Sequence, residues 1–346
     1  MSTSVFCRKA NQVERGISMV AIQEMNMIQA LNNALDLYFS REESAVLLGE
    51  DVGRFGGVFR VTEGLQEKYG IERVFDTPLA EAGIVGMAIG MALGDLKPIV
   101  EIQFADFVFP AFDQIVSELA KYRYRSGGQY APKVVIRMPY GGGIRGGHYH
   151  SQSPEAYFAH TPGLRVVVPS GPFEAKGLLL GSLNSPDPVI FLEPKRIYRA
   201  IKAKVPVEFY TLPIDKANVL HEGEDLTVIG FGSAIPMISD AVTELENEGY
   251  SIEIIDLVSV APLDMETIVH SVKKTGRVLI VHEAPRAGGI AGEIIAEIQE
   301  ECFAHLQAPL QRLTGFDTPF PYSLEKDYMI SADKIKYYAR KVMQYQ

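Results

Sequence analysis

The sequence predicts an α/β fold with two three-layer domains. Two observations predict it: strand-like apolar runs without alternation are separated by helix patterns, and a Pro- and Lys-containing stretch at 195–213 interrupts that rhythm. Strands that are apolar throughout are typical of parallel sheets covered by helices on both faces. A length of 346 residues is also enough for two cores. We therefore expect an N-terminal extension at 1–19, which we take to be flexible, and domains at 20–205 and 206–346.

The first domain is predicted to begin with a helix that carries Ile28, Leu31 and Leu35 on one face. A buried strand at 45–51, a short strand at 74–75 and a helix that begins near Glu81 follow it. The other elements expected in this domain are strands at 99–104, 134–138, 165–169 and 189–192 and helices at 111–125 and 172–184. Helices between apolar strands indicate parallel crossover connections.

The second domain follows the stretch at 195–213, which reads as a linker because prolines break the pattern there. Its expected elements are strands at 226–231, 252–257 and 278–282 and helices at 235–248, 265–274, 290–301 and 333–343. No internal repeat of 20–50 residues is evident, so solenoid architectures are excluded.

Charge and cysteine content exclude several classes of protein. The formal net charge is −10 without any Lys/Arg cluster, which argues against nucleic acid as a partner. Only Cys7 and Cys302 are present, and such a distant pair is typical of a reducing compartment. The longest apolar run, 82–94, is too short and too rich in glycine to span a bilayer. We expect a soluble, intracellular protein without membrane partners.

The first 18 residues are treated apart from the fold. They contain Arg8, Lys9 and Arg15 against a single Glu14, a pattern that weakly resembles an organelle transit segment. An added tag or a start at Met19 explains the segment equally well. We therefore expect a cytoplasmic protein, with the mitochondrial matrix as the alternative.

Glu81 opens an apolar stretch with almost no other polar side chain. A carboxylate in the first turn of a helix is stabilised by the helix dipole, and this alone could explain why an acid stands at position 81. The other is a partly desolvated acid that shares a proton with a bound heterocycle. The sequence pattern leaves both open.

A second candidate region is the glycine-rich run at 141–147, which leads into His148 and His150. A P-loop is disfavoured because no helix pattern follows directly and no GK[ST] is present, so an active-site loop is the better interpretation. The turn at Gly288 and Gly289 is explained by a helix start. Two histidines two residues apart point opposite ways on an extended chain, so joint metal binding is not expected. A histidine beside hydroxyl and amide side chains suits proton transfer.

Several runs resemble the beta subunit of the thiamine-diphosphate-dependent decarboxylating (E1-type) component of 2-oxo-acid dehydrogenase complexes. The resemblance extends from about residue 26 to the C-terminus. It is carried by GEDVGRFGGVFRVT (49–62), VFDTPLAEAGIVG (74–86), EIQFADFVFPAFDQIVSELAKYRYRSGG (101–128), YHSQSPEAYFAHTPG (149–163), PVIFLEPKRIYRA (188–200), VHEAPRAGGIAGEI (281–294) and RLTGFDTPFP (312–321). FGGVFR, EIQFADF, HSQSPEA and EPKRIYRA resemble the branched-chain (2-oxoisovalerate) type more than the pyruvate type. The fold implied is a transketolase-like pyrimidine-binding domain followed by a transketolase C-terminal domain.

The resemblance implies roles for individual residues. Glu81 matches the glutamate that hydrogen-bonds the aminopyrimidine of the cofactor and promotes loss of the thiazolium proton. Phe107 matches the aromatic residue that stacks on that ring, and Leu79 and Gln103 match its neighbours. His150 matches the histidine that handles protons or positions the lipoyl group during acyl transfer.

Two further assignments are less specific. Glu50 matches an acid near the cofactor, and a structural role at a strand end is an equal alternative. A potassium ion is implied for some family members around the chain before His150 and near residues 184–187. Val135 and Pro186 lie in these segments, so backbone oxygens alone are indicated and the site stays open.

One motif of the superfamily is missing. A GDG followed about 25–30 residues later by Asn holds the diphosphate and magnesium, and the sequence contains no GDG. The resemblance therefore implies an alpha subunit that supplies this half of the site and the magnesium in an α2β2 heterotetramer. The lipoyl acyltransferase core is the other implied partner.

The function expected is oxidative decarboxylation of a branched-chain 2-oxo acid, with acyl transfer to a lipoyl domain. A pyruvate-specific subunit and a non-catalytic scaffold subunit are the alternatives. Glu81 and His150 weigh against the scaffold, and the absence of GDG weighs against a self-sufficient transketolase-like enzyme. A Ser-His-acid hydrolase is disfavoured because no G-x-S-x-G elbow is present.

Overall fold

The computed structural model describes residues 21–345, so the expected extension at 1–19 lies outside the described residues. The strands are β1 (Ile22–Asn26), β2 (Ala45–Gly49), β3 (Val74–Asp76), β4 (Lys97–Glu101), β5 (Val135–Tyr140), β6 (Arg165–Val167), β7 (Val189–Pro194), β8 (Lys202–Pro206), β9 (Asn218–His221), β10 (Leu226–Gly230), β11 (Ile252–Asp256), β12 (Ser259–Ala261), β13 (Val278–Val281) and β14 (Gln311–Leu313). The α-helices are α1 (Met27–Phe39), α2 (Leu65–Tyr69), α3 (Glu81–Leu93), α4 (Tyr122–Arg125), α5 (Glu155–Ala159), α6 (Pro172–Leu183), α7 (Ala234–Glu246), α8 (Met265–Thr275), α9 (Ile290–Cys302), α10 (Glu325–Tyr328) and α11 (Ala332–Met343).

Two main sheets organise the chain. The first has seven strands in the order β12-β6-β7-β5-β4-β2-β3, parallel except for β12, which runs antiparallel to β6. The second has five strands in the order β14-β13-β10-β11-β9, and only β9 is antiparallel there. The expected parallel sheets are thus confirmed in their central strands. The antiparallel edge strands β9 and β12 are too short to stand out in the sequence.

Helices cover both faces of each sheet. On the first sheet, α1 and α6 pack on one face and α3 packs on the other. On the second sheet, α7 and α11 cover the outer face. The opposite face, with α8 and α9, contributes to the same apolar cluster as α3, so one continuous core joins the two halves. Fully buried strands such as β2 explain the apolar runs in the sequence.

Local sequence signals explain where several helices begin. The Asn26 side chain accepts from the backbone N–H of Gln29, and the Gln29 side chain accepts from the backbone N–H of Asn26. The two residues thus form a capping box at the start of α1. Pro172 occupies the first turn of α6, where its missing N–H costs nothing. Ser331 caps α11. Gly276 ends α8 in the left-handed conformation.

The prediction of a single helix at 111–125 is wrong. The chain there forms a 3₁₀ turn at Phe109–Ala111, a π-helix at Gln114–Leu119 and the short α4. The wider turn is visible where Ala120 N donates to Ile115 O at 2.9 Å. Over six residues, the apolar spacing of a π-helix cannot be distinguished from that of an α-helix.

The stretch at 195–213 is more ordered than a linker. It contains β8, which pairs antiparallel with β1 in a separate two-stranded sheet. Lys176 in α6 is fully buried, and its Nζ donates to Asn33 Oδ1 at 2.6 Å and to Val207 O at 2.9 Å. The stretch is therefore anchored to α1 and α6. The predicted boundary at 205–206 falls within β8, and it stays a prediction.

A buried ion network ties the centre of the first sheet together. Arg137 of β5 is completely buried between Glu101 of β4 and Glu193 of β7. Its Nη1 lies 2.7 Å from Glu101 Oε2, and its Nε and Nη2 lie 2.7 Å and 3.0 Å from the two oxygens of Glu193. The Tyr198 hydroxyl donates to Glu193 as well. Burial in low dielectric makes such a network costly to leave incomplete.

Among residues 21–345, no helix is long and apolar enough to cross a membrane.

Candidate active site

The predicted site residues follow the carboxyl ends of four neighbouring strands. β5, β4, β2 and β3 are adjacent. The ends of β2, β3 and β4 are level because Gly49 pairs with both Asp76 and Glu101, while β5, in which Arg137 pairs with Glu101, continues to Tyr140. Parallel strands present their carboxyl ends at one edge of the sheet, where ligands bind in open α/β folds. The residues placed after these ends are Glu50 (after β2), Leu79 and Glu81 (after β3), Gln103 and Phe107 (after β4) and His150 (after β5).

Two carboxylates lie together at this edge. Glu50 is 5% exposed, and its Oε1 has no hydrogen-bond partner among residues 21–345. Burial raises the pKa of Glu50, and the negative charges of Glu81 and Asp51 raise it further. Glu81 is the first residue of α3 and is half-buried, as the helix-start pattern predicts. The two acids therefore differ in burial, and Glu50 is the more buried of the two.

The surroundings of the two acids are partly open. Gln103 donates from Nε2 to Asp51 Oδ2 at 3.0 Å, which fixes the orientation of its amide. Leu79 is 84% exposed. Only one side of the site is therefore built from the described part of the chain.

An aromatic group lies beside His150 at the same edge of the sheet. The ring of Phe107 is edge-on to His150, with centroids 5.4 Å apart, and to Phe104, at 5.5 Å. Phe104 also contacts Phe59 at 5.4 Å. His148 is exposed, and its ring is tilted by 50° against that of Tyr149, with centroids 4.1 Å apart. The two histidines thus have different surroundings.

The prediction that the chain is extended around these histidines is wrong. Residues Gly147–Tyr149 form a 3₁₀ turn, and His150 follows it directly. In a 3₁₀ turn, residues two apart still project in different directions, so the separation of the two rings has a different geometric cause. No α-helix begins directly after the glycines, as expected, because the next α-helix in the chain is α5.

Three functional candidates were missed from the sequence. Asp106 is buried and accepts two backbone N–H bonds from the chain after His150. Lys195 is 4% exposed, and burial lowers its pKa to about 8. Phe104 lies between Lys195 and His150, with its ring centroid 5.4 Å from Nζ and 4.7 Å from the imidazole. The only signal for them is their place in the EIQFADF and EPKRIYRA runs.

The residues fit a flat nitrogen heterocycle better than a metal ion. Glu50 offers a buried oxygen without a partner, Glu81 a second carboxylate and Phe107 a half-buried aromatic ring. Carboxylate oxygens accept from ring and amino N–H groups, and aromatic faces stack on planar rings. No group of three or more His, Cys, Asp or Glu side chains in the described range could hold a metal.

The class of protein is defined by two family matches. Residues 23–201 match the family described as "Transketolase, pyrimidine binding domain", and residues 215–335 match "Transketolase, C-terminal domain". A solved structure titled "Split gene transketolase, inactive beta4 tetramer" superposes with a TM-score of 0.74 at 21% identity, covering 92% of this chain and 98% of that one. This likeness shows the transketolase-like two-domain α/β fold.

The relatives narrow the class. A Dictyostelium discoideum protein named "2-oxoisovalerate dehydrogenase subunit beta, mitochondrial" is 58% identical over 89% of this chain and 83% of the relative. An Acholeplasma laidlawii protein named "Pyruvate dehydrogenase E1 component subunit beta" is 50% identical over 92% of this chain and 98% of the relative. The chain belongs to the family of 2-oxo-acid dehydrogenase beta subunits, and the 2-oxoisovalerate type is favoured.

Proposed function

We propose that this chain is the beta subunit of a branched-chain 2-oxo-acid dehydrogenase and that it holds the pyrimidine half of a thiamine diphosphate site. The observation that carries the proposal is the convergence of Glu50, Glu81, Gln103 and Phe107 at one sheet edge, with a buried Glu50 oxygen left without a partner among residues 21–345. When bound, thiamine diphosphate supplies an electron sink for decarboxylation of a 2-oxo acid.

Each side chain has a task that follows from its position. Glu81, at the start of α3, accepts from or shares a proton with a pyrimidine nitrogen, because the helix dipole and the half-buried setting keep a carboxylate available there. Glu50 keeps its proton more tightly than an ordinary acid and so can donate to a ring acceptor. Phe107 offers a stacking surface, Leu79 an apolar contact, and Gln103 an amide oriented by Asp51.

His150 serves the second half of the reaction. Its ring packs between Phe104 and Phe107, at the same edge as the two acids. A histidine titrates near neutral pH and can donate or accept a proton at an acyl acceptor. We propose that it moves a proton, or orients the lipoyl group, when the acyl group is transferred to the lipoyl domain of an acyltransferase.

The rest of the site comes from a partner. The sequence contains no GDG, and α3 presents an open apolar face beside the exposed Leu79, with Met87 40% exposed and no neighbour within 4 Å of a Cβ placed at Gly86 or Gly90. Small residues allow another backbone to approach closely. We propose an alpha subunit here, in an α2β2 heterotetramer, which also binds magnesium. We assign no ligands to a potassium ion.

The test is calorimetric titration of thiamine diphosphate and Mg²⁺ into the full-length chain, alone and mixed with a candidate partner that contains GDG and a downstream Asn. We expect weak or no binding by the chain alone and tight binding in the mixture. Tight magnesium-dependent binding by the chain alone would contradict the half-site.

The substrate class is tested separately. The ratio of kcat/KM for 3-methyl-2-oxobutanoate to that for pyruvate should exceed one in the assembled enzyme, and a ratio below one would favour the pyruvate alternative. No turnover of either substrate would favour the scaffold subunit.

We propose the cytoplasm or the mitochondrial matrix as the location of the protein, since the Dictyostelium relative is named as mitochondrial and the other relative comes from Acholeplasma.

A further inference from the structure

The loop that carries His150 is closed at its base. We define the histidine loop as residues 141–152. The backbone N–H of Gly141 donates to the carbonyl of Gln152 at 2.9 Å, so the two ends of the loop lie side by side. His150 lies two residues before this closure. The position of its ring therefore depends on how firmly the loop is held.

One end of the histidine loop is held by Asp106, a buried carboxylate in the 3₁₀ turn at Ala105–Phe107, which follows β4. Asp106 is 9% exposed, and its Oδ1 accepts from the backbone N–H groups of both Ser151 and Gln152, at 3.0 Å each. These are the two residues that follow His150. A charged acceptor makes stronger hydrogen bonds than a neutral one, so this end is fixed relative to the site.

The other end is held by two carboxylates from the C-terminal half of the chain. Glu283, which follows β13, accepts from Gly142 N, and Glu325, in α10, accepts from Gly143 N at 2.6 Å. The two acids are 8% and 7% exposed. Consecutive backbone N–H groups are thus bound by acids that lie more than forty residues apart in sequence.

Glycine is required at both of these positions. A Cβ at Gly142 would lie 2.4 Å from the Phe320 ring, and a Cβ at Gly143 would lie 2.8 Å from the Arg196 side chain. Gly143 also has a φ of +98°, which other residues rarely adopt. The glycines therefore let the loop backbone pack closely against Phe320 and Arg196 while its N–H groups donate to Glu283 and Glu325.

A buried lysine links the three acids. The Nζ of Lys195 lies 3.4 Å from Pro139 O, and the negative charges that act on it are those of Asp106, Glu283 and Glu325. The positive charge of Lys195 acts on these carboxylates without an ion pair within 4 Å among the described residues, and it offsets part of the cost of burying them. The two anchoring points of the loop thus belong to one charged cluster.

We propose that Asp106, Glu283 and Glu325 are positioning residues for His150, which hold the histidine loop through four backbone N–H groups and so connect the C-terminal domain to the active site. The inference rests on the proposed role of His150 in acyl transfer. It adds that acids outside the cofactor pocket determine whether that histidine is in place.

The first test is amide hydrogen exchange in the full-length chain. Glu325→Ala should speed exchange of the Gly143 amide about 10-fold or more, because a charged acceptor is lost. Glu325→Gln keeps an oxygen acceptor and should restore protection to within about threefold. Asp327→Ala, an exposed position on the same short helix, is the matched control and should change nothing. Asp106→Ala tests the Ser151 end independently if Glu325→Ala does not fold.

The second test is kinetic and uses the assembled enzyme. Glu325→Ala should lower reductive acylation of a lipoyl domain about tenfold while decarboxylation with an artificial electron acceptor changes little. In a His150→Ala background, the same substitution should add no further loss, since the two act through one group. Glu325→Gln should recover acylation.

The outcomes separate this inference from the proposed function. Unchanged exchange in both Glu325→Ala and Asp106→Ala overturns the inference, and so does faster exchange with full acylation activity. Intact acylation in His150→Ala overturns the proposed role of the histidine instead. In that case the exchange rates of the loop amides still decide whether the carboxylates hold the loop.

Discussion

The imidazole of His150 stands edge-on to the ring of Phe104, with centroids 4.7 Å apart and an interplanar angle of 88°. Phe107 makes a second edge contact with the same imidazole, at 5.4 Å and 76°. Aromatic pairs favour this geometry because the positive edge of one ring meets the negative face of the other. The orientation of His150 is thus determined by aromatic packing, and its ring makes no hydrogen bond to residues 21–345. Its nitrogens remain available for substrate.

The two neighbouring histidines should respond differently to substitution. His150→Ala should reduce reductive acylation by about 10²–10⁴-fold and affect decarboxylation with an artificial acceptor much less, because a positioned acid–base group is lost. His148→Ala should cost little in either assay, since its ring is exposed and contacts the exposed Tyr149. Both assays need matched cofactor saturation. A greater loss of acyl transfer in His148→Ala would show that the catalytic histidine is wrongly assigned.

Glu81→Gln should stop cofactor activation and leave the fold intact. Glutamine keeps the shape but cannot share a proton, so proton exchange at the thiazolium carbon should slow by about 10²–10⁴-fold in the assembled enzyme. The loss of helix-dipole stabilisation is small, at most about 1 kcal/mol. Glu72→Gln, at an exposed position before β3, is the control. Exchange at the wild-type rate in Glu81→Gln would exclude the proposed role.

Local signals were sufficient for much of the site. Glu81 was expected in the first turn of a helix and is the first residue of α3. The strands that carry the chain to Glu50, Gln103 and the glycine run were also predicted, because β2, β4 and β5 are buried on both faces and read as apolar runs. Their ends were not: the predictions at 51, 104 and 138 stand against ends at 49, 101 and 140. Convergence of these ends follows from parallel pairing alone.

Long-range contacts account for what the sequence did not reveal. The carboxylate of Glu325 reaches Gly143, and such pairs depend on how two domains pack. The antiparallel strand β12 joins the first sheet from beyond the predicted boundary, and its three residues carry too little periodicity to show this. Asp106 resembles any loop acid until its two backbone donors are known.

The buried acid Glu155 should make stability depend on pH. It is 1% exposed, neither carboxyl oxygen has a partner in the described chain, and burial raises its pKa to about 7 from an ordinary value of 4.5. The folded state thus retains a proton that the unfolded state loses. The contribution of this proton to the free energy of unfolding is fully present below pH 4.5 and is lost as the pH rises toward 7.

Glu155→Gln should remove this dependence, because an amide does not titrate. At pH 8 the variant should be more stable than the wild type by about 2–3 kcal/mol, and the fall in unfolding free energy between pH 5 and pH 7 should become shallower. Urea unfolding at several pH values measures both effects. Glu43→Gln, at an exposed position, should leave the profile unchanged. An identical pH profile in Glu155→Gln would show that this carboxyl group is not protonated in the folded state.

Arg137 allows the effect of burial on an ion pair to be measured within one chain. Arg137 and Glu193 form a two-point contact at zero exposure, with distances of 2.7 Å and 3.0 Å. Arg340 and Glu248 form a contact of the same fork geometry, with distances of 3.0 Å and 2.5 Å, at 40% and 39% exposure. The two pairs differ in solvent exposure and also in partners, because Arg137 binds Glu101 as well.

Replacing each arginine with methionine should therefore have very different costs. Arg137→Met leaves Glu193 and Glu101 buried without their cation, so the free energy of unfolding should fall by about 3–5 kcal/mol. In Arg340→Met the freed carboxylate is hydrated, so the free energy of unfolding should fall much less. Added salt should weaken only the exposed pair, because ions screen solvent-accessible charges. Equal losses in denaturant unfolding of the two variants would mean that the Arg137 network is hydrated or is neutralised by protonation of its acids.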